Sequence, residues 1–291
     1  MKSKNICIIG GDSRQLYAAK HLADNGYKVS IFACELGKLP ANINKIDMLA
    51  DCFKSEYIIL PLPATKNNRL INTPLSSQTV SIKDIIEFTT DKHCIFAGMC
   101  PEPVSKQLSA KAKYLCDYFT IEELTIKNAL LTAEGILSII LEKMPVSVFG
   151  MKIAVCGYGR IGVFISSMLK SLGADVTVFA RNHDQLTKAH LNGLKTADIN
   201  SIGGNISGYE CVINTIPAPV INENAIKQIK DDCLLIESAS APYGIDFNAC
   251  EKNNINLIKA FSLPGKKNPK SAGIIIADIF RRIIDGDDIY E

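Results

Sequence analysis

Tryptophan is absent from the 291-residue sequence, and Phe, Tyr and Trp together make up 7% of it. Stacking platforms for single-stranded nucleic acid need aromatic faces at short intervals, so that class of partner is disfavoured. Charge of one sign is also lacking. The net charge is +2, too little to draw the chain to nucleic acid or to an anionic membrane. No signal peptide is expected, because residues 1–11 (MKSKNICIIGG) pass directly into a strand and a glycine turn. No uninterrupted apolar run approaches the roughly 18 residues of a membrane span. Ten cysteines are present, but none form a C-x-x-C pair and none cluster with His at zinc spacing, so no metal site is expected. Cys7, Cys94, Cys156, Cys211 and Cys233 lie in or beside apolar runs. They read as reduced core thiols of a cytoplasmic protein.

What is present is a hydrophobic fraction of 47%, enough for a full core, and an opening that occurs twice. Lys4 to Gly11 (KNICIIGG) and Lys152 to Gly159 (KIAVCGYG) are each a β-rich run ending in glycine. Each is followed by an amphipathic helical stretch and a second β-rich run, Tyr27 to Ala33 and Asp175 to Arg181. Strand, glycine turn, helix and strand make the βαβ unit of a parallel sheet. Further short apolar runs read as buried strands at Tyr57 to Leu60, Cys94 to Ala97, Cys211 to Asn214 and Leu234 to Glu237, with a weaker one at Asn256 to Ile258. The fold class is therefore α/β: two Rossmann-like domains with parallel doubly wound sheets, joined by two crossing helices with a cleft between them.

The expected boundaries are 1–130 for a substrate and catalytic domain, 131–146 for an inter-domain helix and 147–269 for a cofactor domain. A last helix over 270–291 returns to the first domain. Thr132 is read as the N-cap of the first crossing helix and Ser271 as that of the second. Two helix starts at a cleft, with Lys270 beside one and Arg14 at the start of the first domain's opening helix, would suit a small dicarboxylate.

Gly157-Tyr158-Gly159-Arg160-Ile161-Gly162 is G-x-G-x-x-G in the right context, after a strand and at the opening of a helix. Gly157 serves the tight turn, Gly159 the approach of a pyrophosphate, and Gly162 close packing of helix on strand. The second strand ends in Ala180-Arg181-Asn182 rather than in the acidic residue that holds a ribose 2′-hydroxyl. A guanidinium pairs with a 2′-phosphate, so NADP is expected over NAD. Thr215-Ile216-Pro217, at the carboxyl end of a strand, borders the cofactor. Gly10-Gly11-Asp12-Ser13-Arg14-Gln15 lacks the third glycine, so no second dinucleotide is assigned there. His21, His93, His183 and His190 form no recognisable acid–base set, and Glu134 is the nearest candidate base.

Taken together, the residues resemble a known family, the A subunits of dipicolinate synthase from endospore-forming bacteria. The resemblance rests on GGDSRQ (Gly10 to Gln15), LPLPAT (Leu60 to Thr65), TAEG (Thr132 to Gly135), GYGRIG (Gly157 to Gly162), AR (Ala180-Arg181), INTIP (Ile213 to Pro217) and LPGKKNPKSAG (Leu263 to Gly273). It implies NADP-dependent oxidation of dihydrodipicolinate to dipicolinate, pyridine-2,6-dicarboxylate, during spore formation. It also implies partnership with a flavoprotein-like B subunit, location in the mother-cell cytosol, and leaves a homo-oligomer open. In the loop Ala239 to Gly244, Ser240 is the polar candidate for the substrate, and Ala241 stands where the family commonly has a basic residue. Two rival readings stay open: a 2-hydroxy-acid dehydrogenase on the same scaffold, and a non-catalytic NADP-binding regulatory subunit.

Overall fold

A computed structural model of the chain describes residues 4–34 and 40–286. It divides into two compact units. The first runs to Lys127 and resumes at Asn268; the second is Asn128–Lys267.

Unit 1 holds β1 (Asn5–Ile9), α1 (Ser13–Asp24), β2 (Lys28–Phe32), β3 (Ile43–Lys45), α2 (Leu49–Cys52), β4 (Tyr57–Ile59), α3 (Ile82–Phe88), β5 (Cys94–Ala97), α4 (Glu102–Ser109) and β6 (Tyr114–Asp117). The next helix, α5 (Glu122–Lys143), carries the chain from one unit into the other. Unit 2 continues with β7 (Lys152–Cys156), α6 (Arg160–Ser171), β8 (Asp175–Ala180), α7 (His183–Leu191), β9 (Lys195–Asp198), α8 (Ile202–Asn205), β10 (Cys211–Asn214), α9 (Glu223–Ile226), β11 (Leu234–Glu237), α10 (Phe247–Lys252), β12 (Leu257–Lys259) and α11 (Leu263–Lys267). The closing helix α12 (Pro269–Asp285) belongs to unit 1.

Both sheets are six-stranded and parallel, with the orders β3-β2-β1-β4-β5-β6 and β12-β11-β10-β7-β8-β9. These are the same doubly wound topology. The strand order reverses between β1 and β4 in one and between β7 and β10 in the other. At such a point the flanking loops diverge at the carboxyl edge and leave a crevice for a ligand. The inner strands read from sequence are all present because helices cover both faces and make them apolar throughout; β10 and β11 are buried at every residue.

The two crossing helices depart from expectation in where they begin. α5 starts at Glu122, so Thr132 and Glu134 lie inside it rather than at its N-terminus. The Thr132 hydroxyl donates back to the Asn128 carbonyl at 2.8 Å, a bond made in a helix interior and not an N-cap. α12 starts at Pro269 with Asn268 at the N-cap position, so Ser271 sits within its first turn and caps nothing. Proline favours the first helical position because its missing N–H has no partner there anyway. The part of the expected last helix over 287–291 lies outside the described residues.

α5 is also the one helix among the described residues long and apolar enough to cross a membrane by length and composition. Its apolar residues are used inside the protein: Leu124 in the core of unit 1, and Ala133, Ile136 and Ile140 in the core of unit 2. The ten cysteines form no disulfide among the described residues, and all but Cys100 are buried.

Within unit 1, α1 and α12 run parallel. Gly273 faces the Arg14 carbonyl and Tyr17, His21 pairs with Asp278 at 2.9 Å, and the Tyr27 hydroxyl meets Asp285. Together they cover one face of the sheet with Ile276, Ile279 and Phe280 against Ile6, Ile8 and Ala18.

Candidate functional site

The two glycine turns have the same place in their sheets and opposite local chemistry. In unit 1 the helix start is closed by the chain itself. Asp12 caps α1, its carboxylate accepting the Arg14 N–H at 2.9 Å, and the Gln15 side chain returns to the Asp12 N–H at 3.1 Å. This is a capping box, and it takes up the Asp12 and Arg14 N–H groups that an anion could use. Above it, the Gly11 N–H donates to the Asn72 carbonyl at 2.8 Å, while Thr73 and Ile71 lie against Gly10. The space of a pyrophosphate on this turn is thus filled by the chain's own residues 71–73.

Arg14 is 6% exposed. Its guanidinium pairs with both Asp12 oxygens, at 2.9 to 3.1 Å, and also donates to the Leu62 carbonyl. A side chain so held is a structural cross-link whose charge is already met.

In unit 2 the turn is open. Gly157 takes φ +99°, a left-handed conformation that side chains resist, and its N–H donates to the Phe179 carbonyl at 2.8 Å. Gly159 is the N-cap of α6, and no side chain among the described residues caps that helix. Nothing lies within 4 Å of the place where a Gly159 side chain would stand. A side chain on Gly162 would instead run into the Gly157 carbonyl. The three glycines therefore differ: Gly157 makes the turn, Gly159 faces open space and Gly162 packs closely on the turn. Arg160 is exposed at the head of α6 and Ile161 half-buried behind it.

At the end of β8, Arg181 is exposed and makes no ion pair or hydrogen bond among the described residues. Asn182 has a structural task, capping α7 through the Asp184 N–H at 2.7 Å. Thr215 ties the end of β10 to the glycine turn, its hydroxyl donating to the Cys156 carbonyl at 2.9 Å. Ile216 is half-buried and Pro217 exposed next to it.

Burial, and then the nearby Glu237 carboxylate, push Cys156 up to about 12. Burial and then Asp117 push Cys100 up to about 11. Both thiols stay protonated at neutral pH. His93 is buried among Thr90 and the Phe53 carbonyl, while His183 and His190 are exposed on α7.

The remaining sequence candidates stand on other elements. Ser240 is exposed in the loop after β11, and Lys270, in the first turn of α12 in unit 1, is exposed and has no ion pair or hydrogen-bond partner for its side chain among the described residues. Glu134 is exposed on α5. A buried pair that sequence reasoning misses is Asn214 and Glu237, at the carboxyl ends of β10 and β11. The only hint is an acidic residue closing the otherwise apolar run Leu234 to Glu237.

Residues 5–119 match the family model for the N-terminal domain of the dipicolinate synthase A subunit. Across 286 residues, the chain is 28% identical to the A subunit of dipicolinate synthase from Bacillus subtilis (strain 168), covering 96% of this chain and 95% of the relative. The crystal structure of the A subunit of dipicolinate synthase from Bacillus halodurans superposes with a TM-score of 0.87 at 27% identity, covering 97% of both chains. A transhydrogenase from Sinorhizobium meliloti shares the fold, with a TM-score of 0.65 at 15% identity over 97% of this chain and 94% of the other. In sequence and fold, along nearly its whole length, the chain is similar to the A subunits of dipicolinate synthase.

Proposed function

We propose that the chain is an NADP-dependent dehydrogenase that oxidises dihydrodipicolinate to dipicolinate during spore formation. On this reading it works in the mother-cell cytosol with a flavoprotein-like B subunit. The observation that carries the reading is the uncapped start of α6 behind Gly159, beside the unpaired Arg181. A helix start without a side-chain cap offers backbone N–H groups to a pyrophosphate, and the helix end adds a partial positive charge. Arg181 then meets the 2′-phosphate.

When bound, NADP supplies the hydride acceptor. Loss of a hydride and a proton makes the substrate ring aromatic, so the protein's tasks are positioning and exclusion of water. Thr215 to Pro217 flank the cofactor in unit 2, and Ser240 stands on the neighbouring loop. Glu134 is the carboxylate assigned to the proton. In unit 1, Lys270 and the first turn of α12 are assigned to a substrate carboxylate. Arg14 and Thr132, read from sequence as partners in that task, have structural bonds instead.

Two experiments test this. NADP should bind at least about tenfold tighter than NAD, since one charge-assisted pair contributes roughly 1.5–3 kcal/mol. Arg181→Asp should reverse the order, and equal affinities by titration calorimetry in the parent chain would sink the cofactor reading. Lys270→Ala removes an exposed cation that holds nothing else, so the thermal midpoint should stay within about 1 °C. Its affinity for dipicolinate should fall about fivefold or more, with NADP affinity unchanged. Unchanged dipicolinate affinity would remove Lys270 from the site.

A further inference from the structure

The Glu237 carboxylate is completely buried and has no basic partner among the described residues. A charge in that position is costly unless hydrogen bonds replace its water. Here they do. One oxygen accepts the Ala239 N–H at 2.9 Å, and the other accepts the Gly244 and Ile245 N–H groups at 2.8 and 3.0 Å. The Asn214 amide, also completely buried, donates to the same carboxylate at 2.8 Å.

Asn214 in turn holds the exit of its own strand. Its amide donates to the Ile216 carbonyl at 3.0 Å, and its side-chain oxygen accepts the Ile216 N–H at 3.2 Å. The carboxylate therefore clasps both ends of the loop 239–244, while the amide ties that clasp to the loop 215–217. Gly244 completes the joint: a side chain there would press on the Asn214 amide and lie 2.8 Å from the Ile216 carbonyl. Tyr243 takes a left-handed φ of +66° and stacks on Phe261 at 5.0 Å, so the loop is held in a conformation its residues would not choose alone.

We propose that Asn214 and Glu237 are positioning residues that couple the loop 215–217 to the loop 239–244, so that a dinucleotide bound against the first pre-forms the second for substrate. The proposal rests on the functional reading above for what the two loops touch; the clasp itself rests on geometry alone. Ordering one loop through a shared, fully bonded pair lowers the entropy that the second ligand must overcome. Such coupling is reciprocal between the two ligands.

The test is a coupled titration on the full chain, with NADP and dipicolinate as probes, alongside amide hydrogen exchange. In the parent, each ligand should tighten the other about tenfold, within the usual range of such couplings. Glu237→Gln keeps the shape but turns an amide N–H₂ toward backbone donors. It should abolish the coupling, with a factor near one, while NADP affinity alone changes less than about threefold. Glu237→Asp retains the acceptors and should restore part of the coupling; a merely structural role predicts loss of fold without this split.

If Glu237→Gln fails to fold, Gly244→Ala leaves the carboxylate in place and should show the same loss of coupling. Coupling that persists in either folded variant overturns the proposal. So do Ala239, Gly244 and Ile245 amides that exchange in the parent as freely as exposed loop amides. A parent chain that binds no dinucleotide refutes the functional reading instead, and the exchange data then judge the clasp by itself.

Discussion

Gly159→Val should give a protein that unfolds at the parent temperature, within about 2 °C, yet binds dinucleotide at least about a hundredfold more weakly. The expectation follows from two facts. Gly159 has φ −84°, which any residue accepts, and open space where its side chain would project. The same space is where a pyrophosphate must come close to backbone N–H groups, so a branched side chain excludes the ligand while the fold tolerates it. A hundredfold loss corresponds to about 2.7 kcal/mol. Gly162→Val supplies the contrast. Its side chain would collide with the backbone carbonyl of Gly157, which cannot move without opening the turn. That variant should lose several kcal/mol of stability and its binding together. Melting curves beside calorimetric titrations separate the two glycines, and a stable Gly159→Val that keeps parent affinity would displace the pyrophosphate from this turn.

The second large effect is expected in unit 1. Gly273→Val should destabilise that unit by about 3 kcal/mol or more. A side chain at this position meets the Arg14 carbonyl at 2.5 Å and the Tyr17 Cβ at 2.7 Å, with the Ala18 nitrogen at 3.0 Å. Most of these are backbone or near-backbone atoms, so α1 and α12 can be relieved only by moving apart, and overpacking of this kind ordinarily costs about 1–3 kcal/mol before the core is exposed. Separation would uncover Ile276, Ile279 and Phe280 and the strand residues beneath them. The measurement is denaturation followed by two probes: the near-ultraviolet tyrosine signal, to which Tyr118, buried in this core, contributes, and NADP binding by unit 2. The first should shift to lower temperature, with NADP affinity at 25 °C retained. Coincident, unshifted transitions would show that the two helices accommodate the change.

The strands legible in the sequence and those that are not differ in their position in the sheet. β1, β2, β4, β5, β7, β8, β10 and β11 have a neighbour on each side and helices on each face, so their apolar runs stand out. β3, β6 and β9 give no such run and β12 only a weak one, and these are the four edges. An edge strand is covered less, and β9 (KTAD) and β3 (INK) carry polar residues that protect an open edge from pairing with another chain. Nothing in their composition distinguishes them from loop.

Helix starts are obscured for a different reason. TAEG has the residues of an N-cap, yet α5 begins at Glu122 in a charged stretch, and the Thr132 hydroxyl finds a carbonyl one turn back. The G-x-G-x-x-G turn is legible because its glycines answer to local geometry. The Asn214–Glu237 clasp is not, because it joins positions 23 residues apart on different strands. For Arg14 the signal lies in the sequence itself: Asp12 to Gln15 reads D-x-x-Q, a capping box that foretells a closed helix start.

The parallel pair of α1 and α12 also bears on the order in which the chain acquires structure. Unit 1 is assembled from segments on both sides of residues 128–267. On a ribosome its β1, β2 and β4 emerge early, but the helix that covers them emerges only after all of unit 2. Domains made of one continuous segment can fold as they appear, first segment first. Here unit 2 is continuous and has its own cores, so it is the unit that can finish while synthesis proceeds. Ile6, Ile8 and Ala18 must wait with one face uncovered until Ile276 to Ile284 arrive. Interrupted synthesis anywhere between Lys267 and Asp285 would therefore release a chain with a finished second unit and a first unit that exposes part of an apolar sheet face, a form prone to aggregate.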